Sequence, residues 1–421
     1  MIGLLGFLHV ELVAQVTSYL PGGEIVYYRE TTRERRQQTW NNITQNGIRR
    51  KLQSPLRGDI EQNYLDAFWS IALTGFHPPD IDSILERSIS VWQERSPSFQ
   101  VGLLELLHSR FPRRYDSAVI QLAHRTRNMR VFSAAIAYLP PDTSWLGVIQ
   151  SKLSDTSMRF SRRDSILIRY AQLRASGNIK EFASLAPFKQ RSWQPYQQPL
   201  VVSFQRHNRN YPGLVMVLDT SKNWMREADG RYFAVPQFAR SVTNMPGIFT
   251  NGNTPQGLYR MKGFGVSASN FIGPTPNLQL TMPGETSPAK FTQKPTTDTT
   301  WKLAYYVDLL PNEWKQVPGM QTSYWAGMLG RTEIIAHGTT LDPTWYKQEP
   351  YYPLTPTQGC LCCTELWSSV DGKRMFSDQR QLAKMVARAG GPDGYLLVIE
   401  IDDQPKAVTV AEVLSLLGLT P

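Results

Sequence analysis

Cysteine is scarce in this 421-residue chain: Cys360, Cys362 and Cys363 are the only three, crowded into one short tract. A disulfide framework needs cysteines spread along the chain, so none is expected here. No stretch approaches the roughly 20 consecutive apolar residues of a membrane-crossing helix, so no transmembrane segment is expected. The phosphate-cradling P-loop, the GxGxxG dinucleotide fingerprint and the HExxH zinc pair are all missing. A tetrahedral zinc site wants Cys or His ligands from two separated pairs, and a single CxCC tract with only His337 to complete it does not supply them. The expectation is therefore no metal and no cofactor. Glycine and proline, 29 each, show no period, which excludes a collagen-like chain. With 41% hydrophobic and 19% charged residues the composition is that of a globular protein.

Acidic residues are short in the first half only. Residues 1–200 carry 25 Lys and Arg against 17 Asp and Glu, a net +8, whereas residues 201–421 carry 20 against 18, a net +2. An excess of that kind suits an anionic polymer, an acidic membrane surface or nucleic acid, or is simply a solvated basic face. No aromatic-interleaved Arg/Lys motif of an RNA-binding module is present, so a nucleic-acid partner is not expected.

The length allows two to four domains, and the patterning favours two. Met1–Val16 reads as a degraded or mis-started signal segment: a short apolar run ending in small residues, without a basic start and with His9 and Glu11 inside it. Residues 17–190 read as a helical domain. In Asp59–Thr74, apolar residues recur every three and four positions, and similar runs follow at Ile81–Arg95, Phe99–Phe111, Asp116–Thr126, Val131–Leu139 and Arg163–Ala175. Prolines and Gly177 punctuate them. Pro187–Pro199, rich in Pro, Gln and aromatics with neither periodicity, reads as a linker. Residues 191–421 form the second domain, with strand-like runs at Leu214–Leu218, Tyr232–Val235, Tyr259–Met261, Leu278–Thr281, Lys302–Val307, Thr332–Ala336 and Tyr395–Ile401. The overall class is α+β, a helical domain followed by a β-sandwich or barrel.

Chemistry concentrates in Ile334–Leu366. A strand-like run delivers His337 to Gly338, and 22 residues later Cys360 follows Gly359. A cysteine nucleophile needs its thiolate, which a neighbouring imidazolium favours, and a preceding glycine lets backbone N–H groups approach a developing oxyanion.

Four segments occur in a telling order: Leu214–Gly230; Thr254-Pro255-Gln256-Gly257-Leu258-Tyr259-Arg260-Met261; His337-Gly338-Thr339; and Thr357-Gln358-Gly359-Cys360. Together they resemble the catalytic domain of the L,D-transpeptidases, cysteine-dependent peptidoglycan enzymes, over about half the chain, from Leu214 to Ile401. The resemblance implies a sandwich-like catalytic fold in the cell envelope or periplasm. Cys360 would attack a peptidoglycan stem-peptide carbonyl to form a thioester, and His337 would shuttle the proton. The Gly338 carbonyl would orient the imidazole, and N–H groups around Gly359 and Cys360 would receive the oxyanion. Thr357 and Thr339 would line the pocket. Tyr259 would shape the donor side, with a half-buried strand aromatic as the plain alternative. Transfer to an acceptor amine makes a transpeptidase; transfer to water makes an L,D-carboxypeptidase. A catalytically silent cell-wall binding or scaffold protein, and a helical-repeat interaction protein whose basic first domain docks to a protein partner or to an anionic cell-wall polymer, remain the readings from other classes.

The chain departs from the family pattern in three places. Cys362 stands two residues after the nucleophile, where the family commonly has an arginine, so that cation is absent or comes from elsewhere. An aromatic insertion, Trp345–Tyr352, lengthens the His-to-Cys interval as a lid or a decorated loop. Two further thiols, Cys362 and Cys363, follow the nucleophile and read as small buried residues.

Overall fold

A computed structural model describes residues 25–177, 182–195 and 197–420. The Met1–Val16 segment lies outside the described residues. The chain divides into two compact units, and not by a single cut: Gln37–Lys180 and Val242–Asn251 form one, whereas residues 25–36, Glu181–Ser241 and Gly252–Pro421 belong to the other.

The first unit is helical. Its helices start where the sequence offers caps: Ser96 accepts from the Phe99 N–H with Pro97 in the first turn, Asn128 accepts from Arg130 and Val131, and Ser161 with Asp164 forms a reciprocal capping box. Gly75 ends Glu61–Thr74 in the left-handed conformation, φ 69°. Met129–Tyr138 is the central helix, since every residue in it except Arg130 is buried, and it packs against Pro97–Arg110, Asp116–Arg125 and Arg162–Ala175. A helix, Ser144–Ser154, also forms where no periodic run had been read. Gly147 lies exposed within that helix with open space around its Cα. Gly147→Ala is therefore expected to stabilise the unit by about 0.5–1 kcal/mol by removing unfolded-state freedom, read as a higher Tm; a lower Tm would show an unrecognised packing role.

Among the described residues the second unit has ten strands: β1 Leu200–Arg206, β2 Gly213–Leu218, β3 Val235–Phe238, β4 Gly257–Gly265, β5 Asn277–Thr281, β6 Ile335–His337, β7 Leu361–Cys363, β8 Glu365–Trp367, β9 Arg374–Ser377 and β10 Gly394–Asp402. Eight of them close into a barrel in the order β1-β10-β4-β5-β6-β7-β3-β2, while β8 and β9 form a separate hairpin. The sandwich-like sheet implied by the family resemblance is thus corrected to a closed barrel. Closure follows from pairing at both flanks of β1: it runs antiparallel to β2 and parallel to β10, so the barrel sheet has no free edge.

All eight barrel strands contribute to one apolar interior, among them Val201, Val217, Val235, Tyr259, Leu278, Ala336, Leu361 and Leu396, and the helix Asp378–Arg388 adds Leu382 and Val386. Neighbouring strand positions point outward into a second core with Phe188, Tyr306, Trp314 and Leu414. Arg206, wholly buried at the end of β1, donates to both Asp402 oxygens and to Glu412, each at 2.6 Å, tying β1 to the end of β10 and to the helix Val410–Leu417.

Two local expectations fail for tertiary reasons. Lys302–Val307, expected as a strand, is a helix over Leu303–Val307; Tyr306 is buried there, its hydroxyl accepting from the Leu258 N–H at 2.8 Å and donating to the Met320 carbonyl at 2.7 Å. The expected linker carries core residues instead: Phe188 is buried against Trp314, and the Trp193 indole donates to the Leu309 carbonyl. Among the described residues no helix is long and apolar enough to cross a membrane.

Candidate active site

β6 and β7 are short, neighbouring and parallel, with Ala336 opposite Leu361 and His337 opposite Cys362. Alternation sends Ala336 and Leu361 into the interior and leaves His337 and Cys362 on the other face. Continuing this register puts Ile335 beside position 360, so His337 lies about 6–7 Å further along the strand at about 3.3 Å per residue. His337 thus ends β6, while the Gly359–Cys360 turn leads into the neighbouring parallel β7, two register positions away.

His337 is buried, and its Nδ1 bonds to the Gly338 carbonyl. A carbonyl only accepts, so Nδ1 carries the proton and Nε2 is the basic nitrogen. Burial lowers the His337 pKa to about 4, with the Gly338 bond opposing, and the ring is neutral at rest. Gly338 has no room for a side chain: a Cβ there would collide with the buried Glu365 carboxyl. Thr339 is buried as well; its hydroxyl accepts from Thr355 at 2.9 Å and from the Leu341 N–H at 3.1 Å. It braces the turn after His337.

Cys360 keeps partial exposure, and its thiol donates to the Glu333 carbonyl at 3.5 Å. Glu333 holds a left-handed backbone, φ 63°, with its N–H donated to Glu285 at 2.9 Å. Burial pushes the Cys360 thiol up to about 11; the Ile335 backbone and Arg331 pull it down, while Glu333 and Glu285 raise it. Both partners of the expected pair are thus uncharged at rest, so thiolate must form as attack proceeds.

The turn before Cys360 is closely held. The Thr357 hydroxyl donates to the Cys360 carbonyl and accepts from the Gly359 N–H, both at 2.9 Å. The Thr254 hydroxyl donates to the Gly359 carbonyl at 2.9 Å, which brings together two motifs more than a hundred residues apart. Gly359 adopts φ 111°, a conformation few side chains tolerate. Its N–H, expected among the oxyanion donors, is committed to Thr357 in this state. Tyr259 is fully buried inside the barrel, and its hydroxyl donates to the Pro255 carbonyl at 2.6 Å. It fastens the turn that carries Thr254.

Three further groups surround the thiol. Cys362 lies beneath Phe238, Tyr346, Tyr351 and Leu354, so the two buried tyrosines of the aromatic insertion serve as a packed cover. Cys363 points into the barrel, where Gln237 reaches its sulfur at 3.6 Å. Both thiols are free and buried, and burial pushes Cys362 up to about 12 and raises Cys363 well above its ordinary value. Neither competes as a nucleophile at neutral pH. Arg331, the third group, is buried beside Gly359 and carries no motif in the sequence; only the fold discloses it. Among the described residues no group of three or more His, Cys, Asp or Glu could hold a metal ion.

No family model, no curated protein and no solved structure matches the chain.

Proposed function

We propose that this protein is a cysteine-dependent acyltransferase of the L,D-transpeptidase type, acting on peptidoglycan stem peptides in the cell envelope. The observation that carries the reading is the parallel pairing of β6 with β7, which sets the His337-Gly338 and Gly359-Cys360 motifs on adjacent strands.

In this reading Cys360 attacks the carbonyl of the stem peptide's penultimate residue. As the C–S bond forms, the thiol exchanges its bond to the Glu333 carbonyl for one to Nε2 of His337, which takes the proton, and the Gly338 carbonyl holds the Nδ1–H so that the imidazolium is stabilised as it forms. The tetrahedral oxyanion is received by backbone N–H groups of the Gly359–Cys360 turn, Gly359 exchanging its bond to Thr357 for one to the oxyanion. Collapse expels the terminal D-amino acid, whose amine takes the proton from His337, and leaves a thioester on Cys360. An acceptor amine, or water, then resolves it. The partial exposure of Cys360 supports access for such a substrate, and the buried imidazole supports a proton shuttle shielded from bulk water.

A purified tetrapeptide muropeptide, incubated with the protein and followed by mass spectrometry, should give a cross-linked dimer. Tripeptide without dimer would assign the carboxypeptidase reaction. A carbapenem should add its mass to the Cys360 peptide of the wild type and not to Cys360→Ala. Unreacted muropeptide together with an unlabelled Cys360 would refute the enzyme reading and leave the silent scaffold.

A further inference from the structure

Arg331 lies just before β6, and its guanidinium is wedged against the turn that presents the thiol. One Nη donates to the Asn253 carbonyl at 2.9 Å; the other donates to Gly252 at 2.6 Å and reaches the Gly359 carbonyl at 3.4 Å. A Cβ on Gly359 would overlap that second nitrogen, which shows how closely the cation approaches the residue preceding Cys360.

These acceptors are neutral carbonyls, and burial lowers the Arg331 pKa to about 10. Two ionisable groups raise it again, Tyr259 and Cys360. The Tyr259 phenol is held well above its ordinary value by burial and donates its proton to Pro255, so it stays neutral. The Cys360 sulfur is the other group whose ionisation the Arg331 charge favours. Around the same sulfur, Glu333 and Glu285 oppose ionisation, and Cys362 stays protonated.

We propose that Arg331 is a positioning residue for Cys360: it clamps the Gly359 turn and supplies the positive charge that stabilises the thiolate as it forms. The inference rests on the reading of Cys360 as nucleophile. It assigns the cation to the loop preceding the histidine strand, not to the strand that follows the cysteine. A positive charge close to a sulfur that must ionise lowers the cost of the anion, and it does so most where water is largely excluded.

The test is the pH dependence of Cys360 alkylation by iodoacetamide in the full chain, followed by peptide mass mapping so that Cys362 and Cys363 are scored separately. In Arg331→Gln the alkylation midpoint should rise by about one pH unit, which makes the reaction about tenfold slower at any pH below the midpoint. Arg331→Lys keeps a charge but loses the fork that reaches Gly359, so it should fall between wild type and Gln. If the Gln variant does not fold, as judged by circular dichroism, the Lys variant carries the test. An unshifted midpoint in whichever of them folds overturns the proposal, since a purely structural arginine would leave the thiol's titration where it was. Because alkylation needs no peptide substrate, a wild type that fails to turn over muropeptide would sink the proposed function without deciding this result.

Discussion

Alanine at position 359 is expected to destabilise the barrel unit by about 3–5 kcal/mol, at the upper end for a single substitution. Two costs combine. The backbone at φ 111° is a region that alanine adopts only under strain, worth about 1–3 kcal/mol. The added methyl would also overlap an Nη of Arg331 and the Gly252 carbonyl, breaking the bond between them and leaving buried polar groups without partners. Urea unfolding should show a lower midpoint with an unchanged slope. The Cys360 alkylation midpoint should rise with it, because the displaced guanidinium is the same one whose charge favours the thiolate. A variant within about 1 kcal/mol of wild type would show that the turn relaxes freely, contrary to the tight approach described here.

Glu365→Gln should act in the opposite direction, stabilising the protein at alkaline pH. The carboxyl is buried, and burial pushes its pKa up to about 7, although the hydroxyls of Ser377 and Thr275, then Arg374, pull it down. A folded-state pKa above the unfolded value means the acid's contribution is complete below about pH 4.5 and is lost as pH rises through 7; the full loss is about 3 kcal/mol. Glutamine cannot ionise and can still accept from Ser377, so the variant should gain up to about 3 kcal/mol at pH 8 and little at pH 4. His337 has the reverse sign. Its pKa is depressed to about 4, so its contribution is complete above about pH 6.5 and disappears as pH falls toward 4. Across pH 4.5–6.5 the two residues therefore contribute slopes of opposite sign. Glu365→Gln removes the falling slope of this carboxyl, so urea midpoints should decline less with rising pH between about pH 4.5 and 7 than they do in the wild type. Equal shifts at pH 4 and pH 8 would mean that the carboxyl does not titrate as argued.

The parts of the fold legible in the sequence were those with local periodicity or caps. The expected helices from Asp59 to Ala175 form with boundaries shifted by a few residues, because an apolar stripe at helical spacing is its own signal. The strands β2, β5 and β10 were visible as apolar runs bounded by turn residues. β1 was not, since it follows the aromatic stretch at Pro187–Pro199 that resembles a connector; Phe188 and Trp193 pack there only because Trp314 and Leu309 arrive from more than a hundred residues away. Leu303–Val307 reads as a strand from its tyrosines and valine, and it is helical because Tyr306 must reach the turn at Leu258.

In the candidate site, His337, Gly338, Gly359 and Cys360 could be read as motifs, and Thr254 came with its own. Arg331 could not: a lone arginine 29 positions before the cysteine has no spacing to betray it. Nor does the sequence reveal that Gly338 is required by Glu365, or that the thiol is held by the carbonyl of a left-handed Glu333. Those are facts of tertiary approach, and residue type alone does not carry them.

The parallel contact between β1 and β10 has a bearing on synthesis. During translation β1 emerges nearly two hundred residues before its neighbour, and until residue 394 leaves the ribosome both β1 and β4 expose an unpaired backbone flank. The nascent chain must carry the open flank of β1 for about ten to forty seconds at ordinary elongation rates. A ribosome stalled before Gly394 would hold a product ready to pair with other chains, which makes this stretch of the message the point at which chaperone engagement matters most.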